Sequence, residues 1–225
     1  MLKLFITATD TDAGKTYVAQ ALVKALVAKN KKVAVYKPIS AGCERINDRL
    51  VNEDALQLQA QANCQQSIAN INPIAFAEPI APHIAALTLQ QTITIADIER
   101  GYNEVLALQA DVVICEGAGG WRLPLGQGKF LSEFVQASAQ QVILVVNMKL
   151  GCLNHAVLTY QAIIADGLDC LGWVANCPEN MPYLAENIAE LERLLPITKL
   201  AEMPMTNDIS KAAAQLDIAK ITALL

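Results

Sequence analysis

The stretch "LKLFITATDTDAGKTYVAQALVKALV", residues 2–27, decides the fold. Its opening, Leu2 to Thr7, is a short apolar run of the kind that forms a buried strand. From Lys15 to Lys29 the pattern becomes helical: Val18, Ala21, Leu22, Ala25 and Leu26 share one face and Lys24 falls on another. Between the two, Gly14-Lys15-Thr16 closes a loop at a strand-to-helix junction. Backbone N–H groups at such a junction hold phosphates, a lysine there reaches β and γ oxygens, and the hydroxyl that follows ligates Mg²⁺. The strict pattern G-x-x-x-x-G-K-[ST] is not met, because Thr9 stands where its first glycine belongs. Asp10 and Asp12 sit in the same loop, beside the place a tetra-anionic nucleotide would take, and their presence needs a physical reason.

Further along the chain, short runs rich in Val, Ile and Leu alternate with helical segments. Strands are expected at Leu2–Thr7, Val33–Tyr36, Val112–Cys115, Val142–Val146, Leu171–Ala175 and roughly Ile197–Ala201. Helices are expected at 53–62, 95–109, 153–166 and 182–195, besides the first. Strands such as Ile143-Leu144-Val145-Val146 show no polar alternation, which fits a sheet covered on both faces. The fold class that follows is α/β: a mostly parallel sheet flanked by helices, doubly wound, in one domain over residues 1–225. Residues 40–94 are the least regular, and "AEPIAPH" at 77–83 reads as a rigid functional loop.

Composition narrows the function. The chain has 225 residues, 53% of them hydrophobic, enough for a substantial core. Seventeen Lys and Arg against 22 Asp and Glu give a net charge of −5, and no basic run exceeds Lys31-Lys32, so nucleic acid is not an expected partner. Leu2–Thr9 has no cleavage-site pattern, and the apolar segment 150–165 is broken by Asn154, His155, Thr159 and Gln161, so no membrane role is expected. Six scattered cysteines without a C-x-x-C pair read as reduced, mostly buried thiols of a cytoplasmic protein.

The polar residues of interest fall at carboxyl ends of strands, where open α/β sheets bind ligands. Strand one leads into Thr9–Thr16, strand two into Lys37, strand three into Glu116, strand four into Asn147–Lys149 and strand five into Asn176. Lys37 is followed by Pro38, which fixes the backbone beside it. "VVICEGAGG" (112–120) ends an apolar strand in an acid and follows it with glycines that admit close backbone approach. Asp54 reads by itself as a helix-start acid favoured by the dipole. His83 and His155 read as structural.

Taken together, "TDTDAGKT" (9–16), "YKPISAG" (36–42), "EDALQLQ" (53–59), "FAEPIAPHIAA" (76–86), "VICEGAGGW" (113–121), "VILVVNMKLGCLNHAVLT" (142–159) and "LGWVAN" (171–176) resemble the dethiobiotin synthetases, P-loop ATP-dependent ligases. The resemblance implies a homodimeric, magnesium-dependent enzyme that turns 7,8-diaminononanoate, CO₂ and ATP into dethiobiotin, ADP and phosphate. A carbamate on one amine attacks the γ-phosphorus, and the second amine closes the ring on a carbamic-phosphoric anhydride. It implies catalytic roles for Lys37, Lys15 and Thr11, and Mg²⁺ ligation by Thr16, Asp54 and Glu116, which replaces the helix-start reading of Asp54. Nucleotide contacts would run through Asp12, Ala13, Gly14, Lys15, Thr16 and Tyr17, then Asp54, Glu116, Gly117, Ala118 and Gly119. Asn176 and Cys177 would meet adenine, with Met205, Thr206 and Asn207 of "MPMTND" (203–208) beside it. The substrate would meet Lys37 and Ala41, and its carboxylate the helix start at Leu150, Gly151, Cys152 and Asn154 of the other subunit. On this reading Asp10 orients or partly neutralises Lys15 or Lys37, and Asp12 points away from phosphate.

The chain departs from the family pattern at Ala8, Ala41 and Asn147, where the family has glycine, in some members serine, and a small residue. Two rivals share the fold. A partition-type regulatory ATPase would carry a second lysine near position 10 or 11, where this chain has Asp and Thr. An amidating ligase would need a glutamine-hydrolysing partner.

Overall fold

A computed structural model describes residues 1–178 and 180–225. Six strands form the main sheet: β1 (Leu2–Ala8), β2 (Val33–Tyr36), β3 (Val112–Glu116), β4 (Gln141–Asn147), β5 (Cys170–Cys177) and β6 (Thr198–Pro204). All pair in parallel, in the order β6-β5-β4-β1-β3-β2. The principal helices are α1 (Lys15–Ala28), α2 (Glu53–Gln61), α3 (Ile95–Leu106), α4 (Leu131–Ala137), α5 (Cys152–Ala165), α6 (Leu184–Leu194) and α7 (Ile209–Ala214). The chain winds outward from β1 to the β2 edge and later crosses to β4 on the other side of β1. The switch point is therefore at β1, and its carboxyl end is where a ligand belongs.

The strands lack polar alternation because successive side chains enter two different cores. On β3, Val112 and Ile114 join Leu4, Ile6, Val145 and Val174 beneath α1, α2 and α7. Val113 and Cys115 join Phe5, Leu144 and Trp173 beneath α3, α4, α5 and α6. Burying these apolar side chains contributes on the order of 1.5–3 kcal/mol each for the larger ones, an upper estimate set against chain entropy. The terminal segment is not a loose cover: β6 is the sixth strand, and Met203 and Ala212 belong to the same core as α1.

Residues 40–94 contain small units with too little period to be legible: the pair Ile39–Ser40 with Ile74–Ala75, the hairpin Glu44–Ile46 with Arg49–Val51, and the short helix Pro82–Thr88. Pro82 opens that helix at its first position, where a missing N–H costs no bond. No described helix is long and apolar enough to cross a membrane.

Candidate active site

The chain leaves β1 at Ala8 and turns above the sheet through residues 9–14. Thr9 anchors the turn: its N–H donates to the Val145 carbonyl (3.0 Å), and its hydroxyl accepts from the Asn147 N–H (3.3 Å). Asp12 and Gly14 adopt left-handed backbone, with φ of 55° and 85°. Aspartate tolerates this conformation. Gly14 is held more strictly, since a Cβ there would stand 2.1 Å from Asn176 Nδ2. Helix α1 starts at Gly14 with no side-chain cap among the described residues, which leaves its first N–H groups free for an anion.

The two loop acids differ in what they meet. Asp10 accepts from the Thr11 N–H (2.8 Å) and pairs with Lys149 Nζ (2.8 Å), just past β4. The Lys149 contact holds its carboxyl below the ordinary 3.8. The expectation that Asp10 orients Lys15 or Lys37 is corrected in part. Its carboxylate touches neither, because Lys149 and an amide take it; only its carbonyl meets Lys15 Nζ, at 3.3 Å. Asp12 is exposed.

Across the loop, three strand- and helix-end residues converge. Lys37, 3% exposed just beyond β2, lies 2.9 Å from Asp54 Oδ2 and 2.6 Å from Glu116 Oε1. Glu116, fully buried at the end of β3, also accepts the Thr16 hydroxyl at 2.8 Å, and its Oε2 is buried without a hydrogen-bond partner among the described residues. Asp54 is the second residue of α2, behind Asn52, whose side chain accepts the Ala55 N–H. Asp54 is thus both a helix-start acid and part of the cluster. Burial works against the Lys37 ammonium, but Glu116 and then Asp54 outweigh it and raise its pKa. Burial pushes the Asp54 carboxyl up, and Lys37 more than reverses this, leaving it below its ordinary value. Lys15 is lowered, chiefly by burial, although Glu116 pulls the other way.

These groups line a cleft of about 810 Å³ whose far wall is Pro79, Ile80, Ala81, Pro82 and Leu123. Of the expected site residues it gathers Thr11, Asp12, Ala13, Gly14, Lys15, Thr16, Lys37, Ala41, Asp54, Glu116, Ala118 and Gly119. Gly117 backs it instead: its N–H donates to the Ile6 carbonyl (3.0 Å), and a Cβ would meet Phe5 at 2.9 Å. Asn176 lies under the loop, donating to the Ala13 carbonyl (2.9 Å) while its buried Oδ1 has no partner among the described residues. Cys177 ends β5 beside it. Tyr17 donates its hydroxyl to the Pro204 carbonyl (3.0 Å), which brings the segment Met205, Thr206 and Asn207 next to the start of α1. Leu150, Gly151, Cys152 and Asn154 are outside this cleft; Leu150 is 95% exposed, while Cys152 is buried.

Ser40 does not stand in for a hydroxyl at Ala41. Its own is committed to Asn72 Oδ1 (2.6 Å) and Cys43 Sγ (3.0 Å). His155 is exposed rather than packed, and His83 is half-buried. Five of the six cysteines are buried and all are unpaired. Sequence reasoning missed Asn52, which an Asn before Glu53-Asp54 signals as a cap, and Asn72, for which the sequence carried no signal.

An anion-ready helix start facing two acids and two lysines, at the switch point of a parallel sheet, is the arrangement of P-loop nucleotide-binding proteins. A family model described as an AAA domain matches residues 2–213. The chain is 47% identical over 220 residues to an ATP-dependent dethiobiotin synthetase of Alteromonas mediterranea, covering 93% of this chain and 94% of that one. It is 46% identical to the protein of the same name from Aeromonas salmonicida, covering 96% and 97%. The chain belongs to the ATP-dependent dethiobiotin synthetase family. Among solved structures, the MinC:MinD cell division protein complex of Aquifex aeolicus is similar at a TM-score of 0.59 and 13% identity, covering 100% of this chain and 95% of that one, a likeness of fold alone.

Proposed function

We propose that this chain is an ATP-dependent ligase that closes 7,8-diaminononanoate and CO₂ into dethiobiotin, releasing ADP and phosphate. The observation that carries the reading is the convergence of Lys15, Lys37, Thr16, Asp54 and Glu116 on one cleft that also has an apolar wall. Phosphate chemistry and an aliphatic diamine can be accommodated side by side there. One amine takes up CO₂ and loses a proton to give a carbamate. A carbamate oxygen attacks the γ-phosphorus and ADP departs. The second amine then attacks the carbonyl carbon of the mixed anhydride, expelling phosphate and forming the ureido ring. Lys37 and Lys15 stabilise the charge that builds on the transferring phosphoryl oxygens, and Thr11 borders the same space. Asn176 offers its unpartnered Oδ1 to the adenine amino group.

The acids also fit Mg²⁺. Thr16, Asp54 and Glu116 are oxygen donors, and the unpartnered Glu116 Oε2 has capacity for a cation. When bound, Mg²⁺ supplies positive charge against β- and γ-phosphate oxygens. The substrate carboxylate is assigned to the start of α5 in a second subunit, making the enzyme a homodimer of one-domain chains, and its unpaired thiols suit the cytoplasm. The partition-type reading lacks its second loop lysine. The test is to mix the protein with MgATP, bicarbonate and diaminononanoate and weigh the products. A ureido product formed with stoichiometric ADP is expected; ATP hydrolysis without it would overturn the reading.

A further inference from the structure

Lys37 is aimed by its backbone, and that backbone is held from behind. The small parallel pair has the register Ile39 to Ile74 and Ser40 to Ala75. Carried back two residues, this register sets Lys37 beside Asn72, and each of them precedes a proline. Pro38 and Pro73 have no N–H, so the backbone alone cannot complete the pairing at this step. The Asn72 side chain completes it: Nδ2 donates to the Lys37 carbonyl at 2.8 Å, while the Lys37 N–H donates to the Ile71 carbonyl at 2.7 Å. Asn72 Oδ1 accepts the Ser40 hydroxyl at 2.6 Å, so the same amide grips the chain on both sides of Pro38. Lys37, Ser40 and Asn72 are 3%, 2% and 4% exposed. Asn72 does not line the cleft.

We propose that Asn72 is a positioning residue for the reaction, fixing the Lys37–Ser40 segment so that the Lys37 ammonium meets the reacting phosphoryl group. The assignment rests on the proposed role of Lys37. A buried amide with both functions engaged and nothing else to do in the cleft is a costly choice unless the geometry it fixes matters. A lysine side chain has four rotatable bonds, so small errors at its carbonyl grow toward Nζ, and misplacement of about 1 Å can cost 10²-fold in rate.

The test uses the full-length protein and five variants: Asn72→Ala, Ser40→Ala, Lys37→Ala and the two double variants that combine Lys37→Ala with Asn72→Ala or with Ser40→Ala. Asn72→Ala is expected to lower kcat by about 10- to 100-fold, with the dissociation constant for MgATP within about twofold of wild type. In the Lys37→Ala background the same substitution should cost almost nothing, since residues that act through one another are not additive. An equal loss in both backgrounds would show that Asn72 acts independently of Lys37 and would overturn the assignment, as would an unchanged kcat in a folded Asn72→Ala protein. If Asn72→Ala does not fold, Ser40→Ala decides: it removes one hydroxyl and leaves the backbone pairing. A severalfold loss of kcat confined to the Lys37 background supports the proposal, and no loss overturns it. A wild type that binds MgATP yet makes no ureido product ends the functional reading alone. Asn72 is then judged from crystal structures of Asn72→Ala and Ser40→Ala, in which Lys37 Nζ must leave its 2.6 Å contact with Glu116; an unmoved lysine overturns the positioning role.

Discussion

On the proposed reading the chemistry turns on Lys37, and its surroundings predict two different results. A cation aimed in a dry site contributes mainly to the transition state, so Lys37→Ala should lower kcat by about 10² or more in steady-state assays. An unchanged kcat with a raised KM for ATP would confine Lys37 to ground-state binding. The same ammonium rests on the oxygens of Asp54 and Glu116 that the proposed function gives to Mg²⁺, so a metal bound there would compete with the lysine for them. Nucleotide-free Lys37→Met should therefore bind Mn²⁺ at least severalfold more tightly, as followed by electron paramagnetic resonance; equal affinity would mean they do not share ligands. Asp10 answers why the loop carries acids: it ties the loop to Lys149 rather than to phosphate. Its folded pKa is below the unfolded value near 3.8, so stability from the pair is present above that value and is lost as pH falls through the folded one. Both side chains are well exposed, so the effect is small and screened by salt. Carbon-13 titration should place Asp10 below 3.8 and return it toward that value in Lys149→Met; a titration insensitive to Lys149 would refute the tether.

At the scale of elements, the loop between β1 and α1 works only if Gly14 stays a glycine. A side chain there carries about 1–2 kcal/mol of left-handed strain and must displace Asn176, whose Nδ2 would be 2.1 Å from the new Cβ. Gly14→Ala should therefore weaken ATP binding by an order of magnitude or more in equilibrium titration and lower the urea midpoint; ATP affinity within twofold of wild type would contradict this packing. The six strands and the long helices were legible because their apolar period is imposed by two covered faces, as at Val112 to Cys115. Lys37 and Glu116 were legible because strand ends concentrate chemistry. Elements of two to four residues, such as Ile39–Ser40 or the turn hairpin Pro124–Gly126 with Lys129–Phe130, have too little period to be read. Side-chain partners were less legible still. Nothing local distinguishes an Asp10 that meets Lys149, 139 residues away, from one that meets Lys15. Asn72 precedes an ordinary proline and reveals its role only through a register.

At the scale of the whole molecule, one face is unfinished. Ala156 and Ile163 of α5 are buried against the sheet, yet Leu158 and Ile164 on the same helix are 57% and 45% exposed, and Leu150 before it is 95% exposed. Apolar surface beyond the stripe a helix needs for its own core calls for a second partner, and two-fold pairing of identical chains is the commonest way to supply one. The helix begins at Gly151, in left-handed backbone with no side-chain cap among the described residues, so its free N–H groups suit a carboxylate. These groups lie outside the cleft of their own chain, as the proposed two-subunit site requires. If so, Lys37→Ala removes the phosphate half of a site and an Asn154→Ala or Gly151 replacement removes the carboxylate half. Mixing two such inactive variants in equal amounts and allowing subunits to exchange should restore up to about a quarter of wild-type activity, because about half the dimers are then hybrids and each hybrid carries one intact site of two. Leu158→Glu should shift the protein toward monomer in sedimentation and lower activity with it. A wild type that sediments as a fully active monomer at assay concentration would end the two-subunit site. Verified exchange without recovery would confine each site to one chain.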